Sequence, residues 1–228
     1  IRIVSGDILD YELLTRMILD KDLIFNCAAS TSHRYSMREP WINSDVNIRG
    51  VINLLEAIKQ ENRDAVLVHL GTTTQLGHLQ YRPADESHPE FPTDVYSATK
   101  MVSEKYVLIY AKAYGLNATV IRLPNVFGPR AAIHSADFAF NNYFVGLALQ
   151  DKQITVYRPG DQLRNVLYVD DAVSALLAVT ESPESVGETF FATGDEHYSV
   201  KTIAERICQV LGGSVKMVEW SKAEKAID

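Results

Sequence analysis

The sequence is poor in the residues that would mark several common classes of protein. Its 228 residues hold two cysteines, Cys27 and Cys208, and neither belongs to a pair at metal-ligand spacing. A disulfide framework or a zinc site is not expected, and a reduced, cytoplasmic setting fits best. The six histidines show no paired spacing either, so no metal is expected, and they read as structural or solvent-facing. Positive charge is scarce, with 22 Lys and Arg against 29 Asp and Glu and a net charge of −7. That excludes the electrostatic footprint of a nucleic-acid or anionic-membrane partner. No apolar run approaches the ~20 residues that cross a bilayer. No basic-then-apolar leader opens the chain. Repeats and low-complexity segments are absent too.

What is present is an ordinary soluble composition, 46% apolar and 22% charged. Ile1 to Val4 reads as a strand, and residues 10–19 as a helix with Leu13, Leu14, Met17 and Ile18 on one face. Leu23-Ile24-Phe25 reads as a short buried strand. Pro40 opens a long helix with an apolar stripe of Val46, Val51, Leu54, Leu55 and Ile58. Ala65 to Leu70 is the next strand, and a helix through Tyr96 and Lys100 ends at Gly115. Ala118 to Leu123 is strand again. Beyond Pro129 come a helix (138–149), a strand (154–157), a helix (171–180) capped by Asp170, a strand (188–192) and a helix from Ser199 to Leu211. Strand–helix alternation with continuous apolar strands predicts a parallel sheet, with ligands outside the carboxyl ends of its strands. Asp7, Ala28, Ala29, Thr72 and Asn125 fall at such ends.

Tyr96 is the one tyrosine of the 11 with a lysine four residues on. At that spacing the two side chains share a helix face. A phenol titrates near pH ~10, and a neighbouring ammonium favours the phenolate. The pair is therefore a candidate general acid/base.

These features occur together with others in a fixed order. They are Gly6-Asp7; Cys27-Ala28-Ala29; Asn47 with Gly50 and Asn53-Leu54-Leu55-Glu56-Ala57; and Thr72 five residues before Gly77. Then follow Tyr96-Ser97-Ala98-Thr99-Lys100, Arg122-Leu123-Pro124-Asn125-Val126-Phe127-Gly128-Pro129, and Arg164 ahead of Tyr168-Val169-Asp170-Asp171-Ala172. The set resembles the extended short-chain dehydrogenase/reductases, the NAD-dependent epimerase/dehydratase family that acts on nucleotide sugars, over nearly the whole chain. The resemblance implies an α/β fold: a Rossmann-like doubly wound parallel sheet, truncated in its N-terminal half, with a small C-terminal substrate-binding lobe. Residues 1–130 would form the partial dinucleotide-binding domain, with 166–193 packing back on it; 131–165 and 194–228 would form the lobe.

It also implies roles. Tyr96 is matched to the catalytic base, Lys100 to its partner, and Thr72 to the hydroxyl that binds the reacting alcohol. Asp7, Ile8, Ala28, Ala29, Asn47, Leu70, Leu123 and Pro124 match positions that, with Tyr96 and Lys100, meet NAD. Asn125, Asn142, Tyr157 and Arg164, with Thr72, match the contacts to a nucleotide-diphosphate sugar. A homodimer through helices 41–60 and 94–114 is expected. The implied reaction is epimerisation through a transient keto sugar, with reduction or 4,6-dehydration as the alternative and a non-catalytic dinucleotide-binding module as the alternative of another class.

Two departures from the family's pattern sharpen this. No G-x-G-x-x-G or G-x-x-G-x-x-G occurs, although such glycines let the backbone approach a pyrophosphate. Ile1 to Val4 matches the family's third strand, so the sequence is expected to be part of a longer protein and by itself to bind NAD weakly and be inactive. The dehydratases place a carboxylate just after the catalytic threonine, whereas Thr73 and Thr74 stand here. That disfavours dehydration.

Overall fold

The computed structural model describes residues 2–220. Along the chain run α1 (Tyr11–Ile18), β1 (Leu23–Asn26), α2 (His33–Arg38), α3 (Pro40–Ser44), α4 (Gly50–Glu61), β2 (Val66–Thr72) and α5 (Val95–Tyr114). Then come β3 (Ala118–Leu123), β4 (Asn125–Phe127), α6 (Phe140–Leu149), β5 (Ile154–Tyr157), β6 (Leu163–Tyr168) and α7 (Val169–Thr180). The last are β7 (Thr189–Phe191), β8 (His197–Ser199), α8 (Val200–Leu211) and β9 (Val215–Val218). Contacts divide the chain into two compact units, Ile1–Arg122 with Ala175–Phe191, and Leu123–Ser174 with Ala192–Asp228.

The first unit holds a four-stranded sheet of order β1-β2-β3-β7. β1 runs parallel to β2, and β3 parallel to β7. Strand–helix alternation thus gives the α/β fold with a parallel sheet. Its core joins Val51, Leu54, Leu55 and Ile58 of α4 to Val107, Tyr110 and Ala111 of α5 and to Leu67, Ala118 and Val120 of the sheet. The α4 residues recur at helical spacing, so one face buries all four. α5 begins where the Asp94 carboxylate accepts the N–H of Ser97. It stops at Gly115, whose φ of +69° is the left-handed conformation that glycine adopts without penalty.

Several expectations need correction. Arg2 to Val4 form no strand; Ile3 is exposed, and the sheet gives this segment no partner. Leu23-Ile24-Phe25 is a strand but not a buried run, because Leu23 and Phe25 lie on an open face and only Ile24 packs on the core. The helix from Pro40 is interrupted by a π-turn over Asp45–Arg49. The wider turn shifts the register by one residue, so Asn47 is buried in place of Val46, which is only partly covered. A short helix, α2, lies in what reads as polar loop, begun by Ser32 accepting the N–H of Tyr35. Asp170 sits inside the first turn of α7 instead of capping it.

The second unit contains a three-stranded sheet, β4-β6-β8, and a two-stranded one, β5-β9. β4, β6, β8 and β9 have no counterpart in the sequence reading. β4 pairs in parallel with β6, so Asn125 belongs to this unit. Phe144 and Ala148 of α6, Ile154 and Val156 of β5 and Ala204 of α8 form its core. Ser199 caps α8 as the sequence predicts, accepting the N–H of Thr202 at 3.0 Å.

Candidate active site

Tyr96 lies in the first turn of α5, and three neighbours fix it there. Its N–H donates to Ser36 Oγ of α2 at 3.0 Å, and its carbonyl accepts from Thr99 Oγ1 at 2.9 Å. The His33 ring meets the phenol edge-on, with centroids 4.9 Å apart. Thr72 stands at the end of β2. The phenol is pushed up to about 12, first by burial and then by the Asp94 carboxylate, with the Thr72 hydroxyl acting the other way. Burial also works against the charged form of Asp94. His33 Nδ1 at 2.8 Å, the Ser97 N–H and the Ser97 hydroxyl outweigh it and hold that carboxyl below its ordinary value.

Lys100 is buried one turn on. Burial lowers its ammonium to about 8, against the opposing pull of Glu104 and Cys27. Among the described residues, His69 Nε2, 3.4 Å away, is the side chain within hydrogen-bonding reach of Nζ. Tyr96 and Lys100 thus lie on one helix, as their spacing predicts. The electrostatic expectation differs: Lys100 is not among the influences on Tyr96, whose proton is held more tightly than in water.

Thr72 opens a line of hydroxyls. Its Oγ1 lies 3.0 Å from Thr74 Oγ1, and Thr74 Oγ1 lies 2.9 Å from Ser97 Oγ, whose own proton goes to Asp94. The 3₁₀ turn Thr73–Leu76 carries Thr74 to this position and ends at Gly77. There φ is +61°, and a Cβ would sit 1.8 Å from the Phe91 carbonyl oxygen.

In the first unit, hydrogen bonds fix several of the residues matched to cofactor positions. Asn26, at the end of β1, holds the Ala28 N–H on its Oδ1. Asn47 accepts the Ser30 N–H at 2.8 Å, and its two Nδ2 protons are shared among Ser30 O, Asn43 Oδ1 and Thr99 Oγ1. Its amide therefore ties the segment after Ala28 and Ala29 to the start of α5. Leu70 lies within β2, and its side chain is half-buried. Asp7 accepts the Leu9 N–H, and Asn53 of α4 donates to the Ile8 carbonyl at 3.3 Å.

In the second unit, Leu123 and Pro124 are half-buried. Asn125 donates to Asn165 O at 3.4 Å and Asn142 to Val126 O at 3.0 Å. Arg164 NH1 donates to the Leu163 carbonyl, and the Tyr157 ring stacks on Trp220 at 4.3 Å. Ser36 and Asp94 are site neighbours to which the sequence reading gave no role; it took His33 and His69 as structural or solvent-facing, and Thr74 only as standing where dehydratases carry a carboxylate. Only Asp94 carried a local signal, since an Asp immediately before the first helical residue is a capping pattern.

A family model described as the NAD dependent epimerase/dehydratase family matches residues 1–200. The chain is 29% identical over 195 residues to a putative UDP-glucose 4-epimerase of Methanocaldococcus jannaschii, covering 85% of this chain and 63% of that one. It thus spans less than two thirds of that relative's length. A UDP-N-acetylglucosamine 4-epimerase from Methanobrevibacter ruminantium M1, solved with UDP-N-acetylmuramic acid, matches with a TM-score of 0.88 and 26% identity, over 96% of this chain and 70% of that one. A dTDP-glucose 4,6-dehydratase from Bacillus anthracis str. Ames, solved with NAD, matches with a TM-score of 0.82 and 28% identity, over 96% and 67%. Likeness of fold does not choose between the two reactions. The family model does run through every element that carries Thr72, Tyr96, Lys100 and Arg164, and on that ground the chain belongs to the NAD dependent epimerase/dehydratase family.

Proposed function

We propose that these residues are the acid/base half of an NAD-dependent nucleotide-sugar epimerase. One observation carries the choice of reaction. Thr73 and Thr74 follow Thr72, and Thr74 joins it in a chain of hydroxyls with Ser97. Eliminating a hydroxyl two carbons from a ketone needs a carboxylate to take the proton from the carbon between and a carboxylic acid to protonate the leaving hydroxyl, and a threonine hydroxyl is too weak an acid and base for either. Inversion of a carbinol needs only a group that takes one proton and returns it.

The residues present fit the nicotinamide half of NAD. A buried amine one helical turn from a phenol suits a ribose hydroxyl, and the small Ala28 and Ala29 leave room for backbone approach at a strand end. NAD, when bound, supplies the hydride acceptor and donor. Tyr96 takes the proton from the sugar hydroxyl and returns it, while Thr72 hydrogen-bonds the same oxygen. Lys100, as ammonium, stabilises the phenolate as it forms.

Asn125, Asn142, Tyr157 and Arg164 are assigned to the nucleotide-diphosphate sugar. The planar, permanently charged guanidinium of Arg164 suits a diphosphate. The free thiols of Cys27 and Cys208 suit a cytoplasmic setting. No glycine-rich phosphate turn occurs in the 228 residues, so by themselves they are expected to bind NAD weakly, and tight binding in isothermal titration would overturn that.

The test is incubation of the full-length polypeptide with UDP-glucose and NAD. Appearance of the epimer without net NADH is the expected result. A stable keto-deoxy sugar, or net NADH, sinks the epimerase reading in favour of dehydration or simple oxidoreduction. In the same assay Tyr96→Phe is expected to lower kcat by about 10²–10⁴-fold, the range of one general acid/base. An unchanged rate would instead favour a non-catalytic dinucleotide-binding module.

A further inference from the structure

His69 is a fully buried titratable group that the acid/base scheme leaves unused. It lies in β2 with Nε2 3.4 Å from Lys100 Nζ. Its tautomer follows from the backbone. The Ala28 N–H cannot turn round, and it donates to Asn26 Oδ1 at 3.3 Å. That fixes the Asn26 amide with Nδ2 toward the ring, 3.0 Å from His69 Nδ1. Nδ1 is therefore an acceptor, and the proton of the neutral ring sits on Nε2.

Ser103 agrees with this assignment. Its Oγ gives its own proton to the Lys100 carbonyl at 2.9 Å and lies 3.3 Å from His69 Nε2, so it turns a lone pair to the ring edge and shares the Nε2–H with the Lys100 amine. Burial, and then the charge of Lys100, keep the ring neutral by lowering its proton affinity well below the ordinary value. The amine of Lys100 thus meets a donor where an ammonium would require an acceptor.

We propose that His69 is a positioning residue for Lys100: by presenting Nε2–H to the amine it makes the lysine a switchable charge instead of a fixed one. The inference rests on the reading of Lys100 as part of the acid/base site. Besides His69 from β2, the charged or titratable groups acting on Lys100 are Cys27, after β1, and Glu104, one turn further along α5. Both favour the ammonium. Burial is the main influence against it, and the ring N–H adds to burial.

Two measurements on the protein test this. In protein labelled with ¹⁵N-histidine, the His69 ring is expected as the Nε2–H tautomer, and an Nδ1–H ring overturns the proposal. In protein labelled with ¹³C-lysine, the Lys100 Cε resonance is identified by its absence from Lys100→Arg and followed against pH. His69→Gln can turn its amide oxygen to the amine, so the Lys100 midpoint is expected to rise by about one pH unit, tenfold in proton affinity. A midpoint that does not move overturns the proposal. If His69→Gln does not fold, the ring tautomer decides alone. Neither readout uses turnover. A negative result removes the role of His69 and leaves the epimerase reading to its own assay.

Discussion

Lys100 holds a proton that burial has loosened and Tyr96 one that burial has tightened, so the two act as a mismatched pair until something joins them at the site. The sequence spacing suggested a lysine lowering a tyrosine. In the folded chain each is governed first by its own desolvation, with values of about 8 and about 12. The lysine's state has a measurable consequence for stability. Its folded value lies below the ordinary 10.5. Between these two pH values the unfolded chain binds a proton that the folded chain has lost. Stability from this group therefore rises with pH across the window from about 8 to 10.5. Between pH 8 and 10 the wild type is expected to gain roughly 2 kcal/mol relative to Lys100→Met, measured by urea unfolding of both at each pH. Parallel pH dependence in the two proteins would rule this out.

At the scale of the element, α5 does more than carry a tyrosine. Tyr96, Lys100 and Glu104 are successive positions one turn apart on a single helix face. Glu104, fully buried, takes the Arg122 Nε of β3 at 2.9 Å and Gln75 Nε2 at 2.8 Å. Arg122, equally buried, also reaches Glu90. This anchor fixes α5 against the sheet directly below the acid/base pair. Glu104→Ala would leave the Arg122 guanidinium buried with half its partners. It is expected to cost about 3–5 kcal/mol in urea unfolding, as removal of one member of a buried ion pair does. A loss under about 1 kcal/mol would show that the pair is dispensable. The π-turn of Asp45–Arg49 works on the same scale: it turns Asn47 inward, where its amide links the segment after β1 to Thr99 of α5.

At the scale of the molecule, the long helices leave apolar side chains uncovered in one chain. Trp41 and Ile42 of α3 and Ile109 of α5 are exposed, at 84%, 46% and 54%. We propose that a second copy covers them, pairing through 41–60 and 94–114 as the family resemblance implies. Sedimentation velocity is expected to show a dimer whose population rises with concentration, and Ile109→Arg is expected to shift it toward monomer. A monomer at all concentrations for the unmodified chain would remove the proposal. No helix among the described residues is long and apolar enough to cross a membrane.

The sequence by itself determined what local chemistry can determine. Helical spacing in α4 and α5, the caps Asp94 and Ser199 and the stop at Gly115 are consequences of residues within one turn of each other. The order of the motifs, with threonines and no carboxylate after Thr72, was equally legible. Tertiary structure decided whatever depends on partners far along the chain. Arg2 to Val4 is apolar enough for a strand but has no neighbour to pair with. β4 and β6 are short and are strands because each supplies the other's hydrogen bonds. Periodicity could not show that His69 lies against Lys100, 31 residues away, or that Asp94 and His33 stand beside the phenol of Tyr96. Proton affinities depend on burial and on such distant neighbours, so the spacing of Tyr96 and Lys100 was legible in the sequence but their charge states only in the fold.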